Sequence, residues 1–127
     1  LPLFLDIDRS LRTHMSLVER YGGVPGVRDI GLLHSAIAMP QASYEGEFLH
    51  KDLFERLRHL FHIVQNHPFV DGNKRAGAAT ALIFLDLNGV EIEADEEGLV
   101  DLTLRVAAGQ AGKQEIAEFF RTRASGV

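Results

Sequence analysis

His67-Pro68-Phe69-Val70-Asp71-Gly72-Asn73-Lys74-Arg75 decides how this chain of 127 residues is read. Within nine residues it gathers a titratable base, a carboxylate, a glycine, an amide and two cations. A helical apolar pattern precedes it and another follows at once. That is the layout of a phosphate-binding loop at a helix N-terminus, where free N–H groups and roughly half a positive charge favour an anion. Histidine titrates near pH ~6.5, so His67 can take a proton from a hydroxyl. Pro68 breaks the preceding helix and fixes the angle of the imidazole. Phe69 anchors the loop to the core. Asp71 can hold Mg²⁺, which prefers one or two carboxylates plus substrate phosphate oxygens. Gly72 permits close backbone approach or positive φ. Asn73, Lys74 and Arg75 offer an amide, a point charge and a bidentate fork to phosphate.

The flanking patterns set the fold class. Lys51 to Asn66 carries Leu53, Phe54, Leu57, Leu60, Phe61 and Val64 on one helical stripe. Arg75 to Leu87 is apolar nearly all round, with only Thr80 and Asp86 polar beyond Arg75, and is expected to be the central buried helix. Ala76, Gly77, Ala78, Ala79 and Ala81 allow neighbours to approach it closely. Upstream, Leu1 to Ile7 reads as extended. Asp8 or Ser10 can cap a helix bearing Leu11, Met15 and Val18, ended by Gly22-Gly23. Val24-Pro25-Gly26 is a turn, and Asp29 caps a helix through Leu32, Leu33, Ala36 and Ile37 that Pro40 stops. Gln41 to His50 reads as a loop with a short hairpin. Downstream, Asn88-Gly89 closes the central helix, and Val90 to Ala94 is extended. Asp95 caps a helix with Leu99, Leu102 and Val106, ended by Gly109. Lys113 to Arg123 is a last helix with Ile116, Phe119 and Phe120 inward, and Ala124 to Val127 is a frayed tail. The expectation is an all-α bundle of about six helices, one domain over 1–127, with the motif loop joining two central helices.

Composition narrows the function. The 46% apolar content suits a globular domain, and the formal charge of −5 argues against a nucleic-acid surface. No cysteine is present, so disulfides, thiolate metal sites and thiol nucleophiles are excluded, which fits a cytoplasmic setting. No apolar run reaches the ~18 residues of a membrane span, and Leu1 to Leu5 is too short for a signal core. His59, His62 and His67 could form a Zn²⁺ or Ni²⁺ trio, but the first two flank the polar helix side and read better as solvated. His14 has no assignable partner. The run Glu91, Glu93, Asp95, Glu96, Glu97 is a solvated face and helix start.

His67 to Arg75 resembles the signature of the Fic/Doc superfamily in its Doc (death-on-curing) form. The Fic form reads H-P-F-x-x-G-N-G-R-x-x-R. Here Lys74 stands at the second Gly and Ala78 at the second Arg, and both departures are Doc-like. Tyr21-Gly22-Gly23-Val24-Pro25-Gly26, Arg28 to Leu33, Pro40-Gln41 and Phe84 to Gly89 extend the resemblance. It implies the same helical fold, and a toxin of a type II toxin–antitoxin pair that uses ATP and Mg²⁺. His67, Asp71, Lys74 and Arg75 would be catalytic, with Asp71 on the metal. Phe69, Gly72, Asn73, Lys74 and Arg75 would hold the nucleotide. With Lys74 in the anion pocket and no second Arg, the resemblance implies γ-phosphoryl transfer to a protein hydroxyl, a threonine of elongation factor Tu. Transfer of AMP, or a decayed site that only docks an antitoxin and helps it repress transcription, are the alternatives. Tyr44 and Phe48 would touch the target from a flap. The family's inhibitory pattern [ST]-x-x-x-E-[GN] is approached only at Ser43 to Glu47, where Phe48 follows. A separate Phd-like antitoxin is therefore expected, folding onto the N-terminal helices around Leu11 to Val18 and Leu32 to Ile37.

Overall fold

The central element of the computed structural model is α5, Asn73–Leu87, around which α1, α3, α4 and α6 pack. Residues 3–41, 43, 44, 47, 48, 52–61 and 63–125 are described, without the side chains of 43, 44, 47 and 48. Asn73, Ala76, Gly77, Thr80, Ala81, Phe84 and Leu85 of α5 are buried, and only Lys74, Arg75 and Asp86 are exposed. That is the apolar, nearly enclosed helix the sequence leads one to expect. Thr80 is accommodated because its hydroxyl donates back to the Ala76 carbonyl at 2.8 Å.

The other helices are laid around it in chain order. α1 is Ile7–Tyr21, α2 is Ile30–Ala38, followed by a single 3-10 turn at Met39–Gln41. A two-stranded hairpin pairs β1, Ser43–Tyr44, with β2, Glu47–Phe48. Ser43 and Glu47 thus lie on strands, so no helix presents the inhibitory pattern; the side chains of Tyr44 and Phe48 lie outside the described residues. α3, Leu53–Phe61, and α4, Ile63–Asn66, flank residue 62. α6 is Glu96–Ala107 and α7 is Lys113–Arg123, which packs on α3. The result is the all-α bundle, with the motif loop between α4 and α5. No helix among the described residues is long and apolar enough to cross a membrane.

Several local expectations are corrected. α1 is capped by Asp6, whose side chain accepts from Arg9 N–H at 2.7 Å, not by Asp8 or Ser10. Asp8 instead pairs with Arg12 at 3.2 Å, and Ser10 is buried. Of the stripe Leu11, Met15, Val18, Leu11 packs against the core but Met15 is 44% exposed, while Ser10 and His14 are buried. Polar residues on the inner face hide its period. His59 is buried rather than solvated. Ala124 is not frayed: β4, Ala124–Ser125, pairs antiparallel with β3, Glu91–Ile92. Arg123 secures that junction, donating to Asp95 at 2.7 Å and stacking over Phe119.

Gly77 lets α3 and α4 lie close against α5. A Cβ there would lie 2.5 Å from Val64 Cγ2 and 3.1 Å from both Phe61 O and Val64 N. Alanine in a helix interior normally gains ~1 kcal/mol over glycine. Here Val64 is fully buried and two of the opposing atoms are backbone, so overpacking of ~1–3 kcal/mol outweighs that gain. We predict that Gly77→Ala lowers the thermal midpoint; a raised midpoint would show that α4 and α5 part freely.

Candidate active site

The motif loop starts with an uncommon backbone. α4 ends at Asn66, and His67 has φ of +54°, a left-handed conformation of modest cost to a non-glycine residue. The segment before α2 holds it there. The Arg28 guanidinium donates to the carbonyls of His67 (2.6 Å) and Asn66 (2.9 Å). The N–H groups of Arg28 and Asp29 both donate to the Pro68 carbonyl, at 2.7 and 3.0 Å. Val70 N–H donates to Gly26 O at 3.1 Å, beside an isolated bridge between Val27 and Phe69. The Val24-Pro25-Gly26 turn is thus a brace for the loop. Sequence reasoning gave Arg28 no role, and nothing in its spacing signals one.

The far side of the loop is pinned from within. Asn73 is buried, and its amide both accepts from Phe69 N–H and donates to Phe69 C=O, each at 3.0 Å. Its side chain was expected to face phosphate; it clamps the loop and also lines the cleft, with its second amide N–H not used by Phe69. Phe69, also expected among the nucleotide-holding residues, lies beneath the loop, fully buried, and does not line the cleft. Its ring stacks on His14 at 3.8 Å between centroids and 6° between planes. His14 Nε2 lies 2.7 Å from the Asp71 carbonyl. No sequence signal marked His14, because it sits on α1, far along the chain from the motif.

His67, Asp71, Gly72, Asn73, Lys74 and Arg75 come together on one wall of a cleft of about 520 Å³, which Ala78 also lines. The opposite wall is α6, through Leu99, Val100, Thr103 and Leu104. Val100 and Leu104 are 58% and 52% exposed. The sequence did carry a signal for them: two apolar positions four apart, off the Leu99, Leu102, Val106 stripe. Gly72 caps α5 in a left-handed conformation with φ of +76°, and no side chain caps that end. The exposed Lys74 and Arg75 flank it, and the Arg75 guanidinium rests 4.8 Å from the Tyr21 ring centroid. An uncapped helix start between two cations suits a polyanion.

Asp71 turns its carboxylate to backbone donors: Val24 N–H to Oδ2 at 3.1 Å and Gly72 N–H to Oδ1 at 2.8 Å. These bonds, Val24 first, hold its pKa below the ordinary aspartate value, with Arg75 and His14 adding to the effect. Each carboxylate oxygen keeps a free lone pair, so a hard cation that brings its own water and phosphate ligands fits this donor set. Among the described residues no group of three or more His, Asp or Glu is placed to hold a metal, and His62 of the suggested histidine trio lies outside them. Because the folded pKa is depressed, the stability these bonds give the loop is present above the unfolded value of ~3.9 and lost as pH falls through the lower folded one. The amide resonances of Val24 and Gly72 should therefore titrate together, with a midpoint below ~3.9. Independent midpoints, or none, would mean that the carboxylate is not shared between them.

A family model described as the Fic/DOC family matches residues 4–85. The chain is 37% identical over 109 residues to a protein named protein kinase doc from Escherichia phage P1, covering 85% of each chain. It is 43% identical over 76 residues to a protein named toxin Doc from Mycolicibacterium smegmatis, covering 59% of this chain and 58% of that one. With its helical bundle, its cleft at the start of α5 and these similarities, the chain belongs to the Fic/Doc family.

Proposed function

We propose that this chain is a toxin kinase of the Doc type, which transfers the γ-phosphoryl group of ATP to a hydroxyl of a target protein. The names of its two relatives support both halves of that reading. The observation that carries the chemistry is the position of Lys74 and Ala78, both on the cleft wall beside His67. In this reading the Lys74 ammonium would fill part of the anion pocket, and the Ala78 methyl group leaves no second arginine to extend it. That combination favours a nucleotide seated with its terminal phosphate toward the base.

In this reading the imidazole of His67, exposed at the cleft, removes the proton of the target hydroxyl. The hydroxyl oxygen attacks the γ-phosphorus, the bond to the bridging oxygen breaks, and ADP leaves. Lys74, Arg75 and the first N–H groups of α5 stabilise charge on the phosphates. Asp71 would hold Mg²⁺, which when bound neutralises phosphate charge. The expected target is a threonine of elongation factor Tu, whose modification arrests translation.

Control by a Phd-like antitoxin, as in type II pairs, belongs to the same reading. On the Leu32 to Ile37 side Leu33, Ala36 and Ile37 are buried, so only the outward face of α2 is open to it there. A groove of about 500 Å³ between α1 and α5, lined by Arg9, Arg12, Leu17, Ala79 and Ile83, suits an acidic amphipathic helix better.

Intact-mass analysis of elongation factor Tu after incubation with the chain and ATP-Mg²⁺ tests the chemistry. A gain of one phosphate is expected; a gain of AMP overturns the kinase reading. His67→Ala should slow transfer ~10²–10⁴-fold with the fold intact. His67→Asn tolerates the left-handed φ and carries no base, so it should lose as much. Wild-type rates in either variant dismiss His67 as the base. Lys74→Gly should lower phosphoryl transfer and open a route to AMP transfer; an unchanged phosphorylation rate means that Lys74 does not select the nucleotide's orientation.

A further inference from the structure

The geometry points to His14 as a positioning residue for the reaction proposed above: it orients the Asp71–Gly72 peptide, and through it the Asp71 carboxylate. The inference rests on the kinase reading for its catalytic consequence, but not for its geometry. His14 is 3% exposed and comes from α1, more than fifty residues before the loop it touches.

Packing alone does not explain a histidine here. Its ring lies flat on Phe69, where an aromatic hydrocarbon would stack equally well and would leave no polar atom to satisfy. What histidine adds is a donor. The partner of Nε2 is a carbonyl oxygen, which can only accept, so Nε2 carries the hydrogen. The peptide unit is planar and trans, so fixing the Asp71 carbonyl toward His14 sends the Gly72 N–H the opposite way. On that side it meets Asp71 Oδ1 at 2.8 Å. The second oxygen is then presented to Val24 N–H at 3.1 Å. The space is tight as well: a Cβ on Gly72 would sit 3.4 Å from His14 Nε2, and one on Gly23 2.8 Å from Asp71 Oδ2. One buried donor therefore sets the aim of a carboxylate on the opposite face of the same peptide. Without it, the Asp71 carbonyl is left without its partner and the peptide is free to rotate.

The test separates the ring from the donor. His14→Phe keeps the stack on Phe69 and removes the N–H. It should fold and melt cooperatively, while kcat falls ~10–10²-fold, KM for ATP changes less, and the Mg²⁺ concentration for half-maximal rate rises. His14→Gln restores an N–H donor without the ring and should recover most of that loss. A readout independent of catalysis accompanies these: hydrogen-exchange protection of the Val24 and Gly72 amides, expected to drop in His14→Phe and to return in His14→Gln. A folded His14→Phe with wild-type kcat, Mg²⁺ dependence and amide protection overturns the inference. Should His14→Phe not fold, the near-isosteric pair His14→Gln and His14→Met makes the same comparison. Protection retained in Gln and lost in Met supports the role, and equal values overturn it. If the wild-type chain transfers nothing, the kinase reading fails while the exchange measurement still decides the role of His14.

Discussion

Both backbone polar groups of Phe69 are satisfied by a single side chain, Asn73, and the loop depends on that pairing. A buried backbone N–H or C=O without a partner costs on the order of 1–3 kcal/mol, and the loop has no regular secondary structure to supply partners. Asn73 is also the first residue of α5, so the bonds tie the loop to the helix it introduces. Phe69 can then sit in the core under His14 while Asp71 and His67 stay at the surface. The segment Gly26 to Asp29 supplies the remaining donors and acceptors from the other side.

The division of labour within the motif follows from that pairing. A phenyl ring and a proline hold the chain, an imidazole, a carboxylate and two cations line the cleft, and the Asn73 amide does both. Side-chain type alone did not separate the two groups. An asparagine beside a lysine and an arginine is equally good as a phosphate donor and as a backbone clamp, and only its contacts show the clamp.

Features governed by neighbours in the chain were legible in the sequence. Asp29 and Asp95 cap α2 and α6 as their positions imply, Gly22 ends α1, and α7 occupies Lys113–Arg123. The central place of α5 followed from its composition. What escaped reading depends on contacts across the chain. His14 meets Asp71, Arg28 meets His67, and Ala124 pairs with Ile92 through partners that no local period reveals. The α1 face was misjudged for the same reason, since Ser10 and His14 are polar yet inward. His59 shows the converse error, a histidine assigned to solvent by type and buried by packing.

Val100 and Leu104 give the cleft a property of a different kind. Two large apolar side chains stand more than half in water on α6, opposite the charged wall. Leaving them wet forgoes free energy that burial would return, at ~25 cal/mol per Å² of apolar area. An occupant seated across the cleft would cover them, and could do so only when α6 already faces the motif. Occupancy and folding are therefore linked equilibria. A ligand at a hundred times its Kd would add about 2.7 kcal/mol to the stability of the whole chain. In the cell the small unfolded fraction would then fall as that ligand rises, and with it the exposure of the chain to proteolysis.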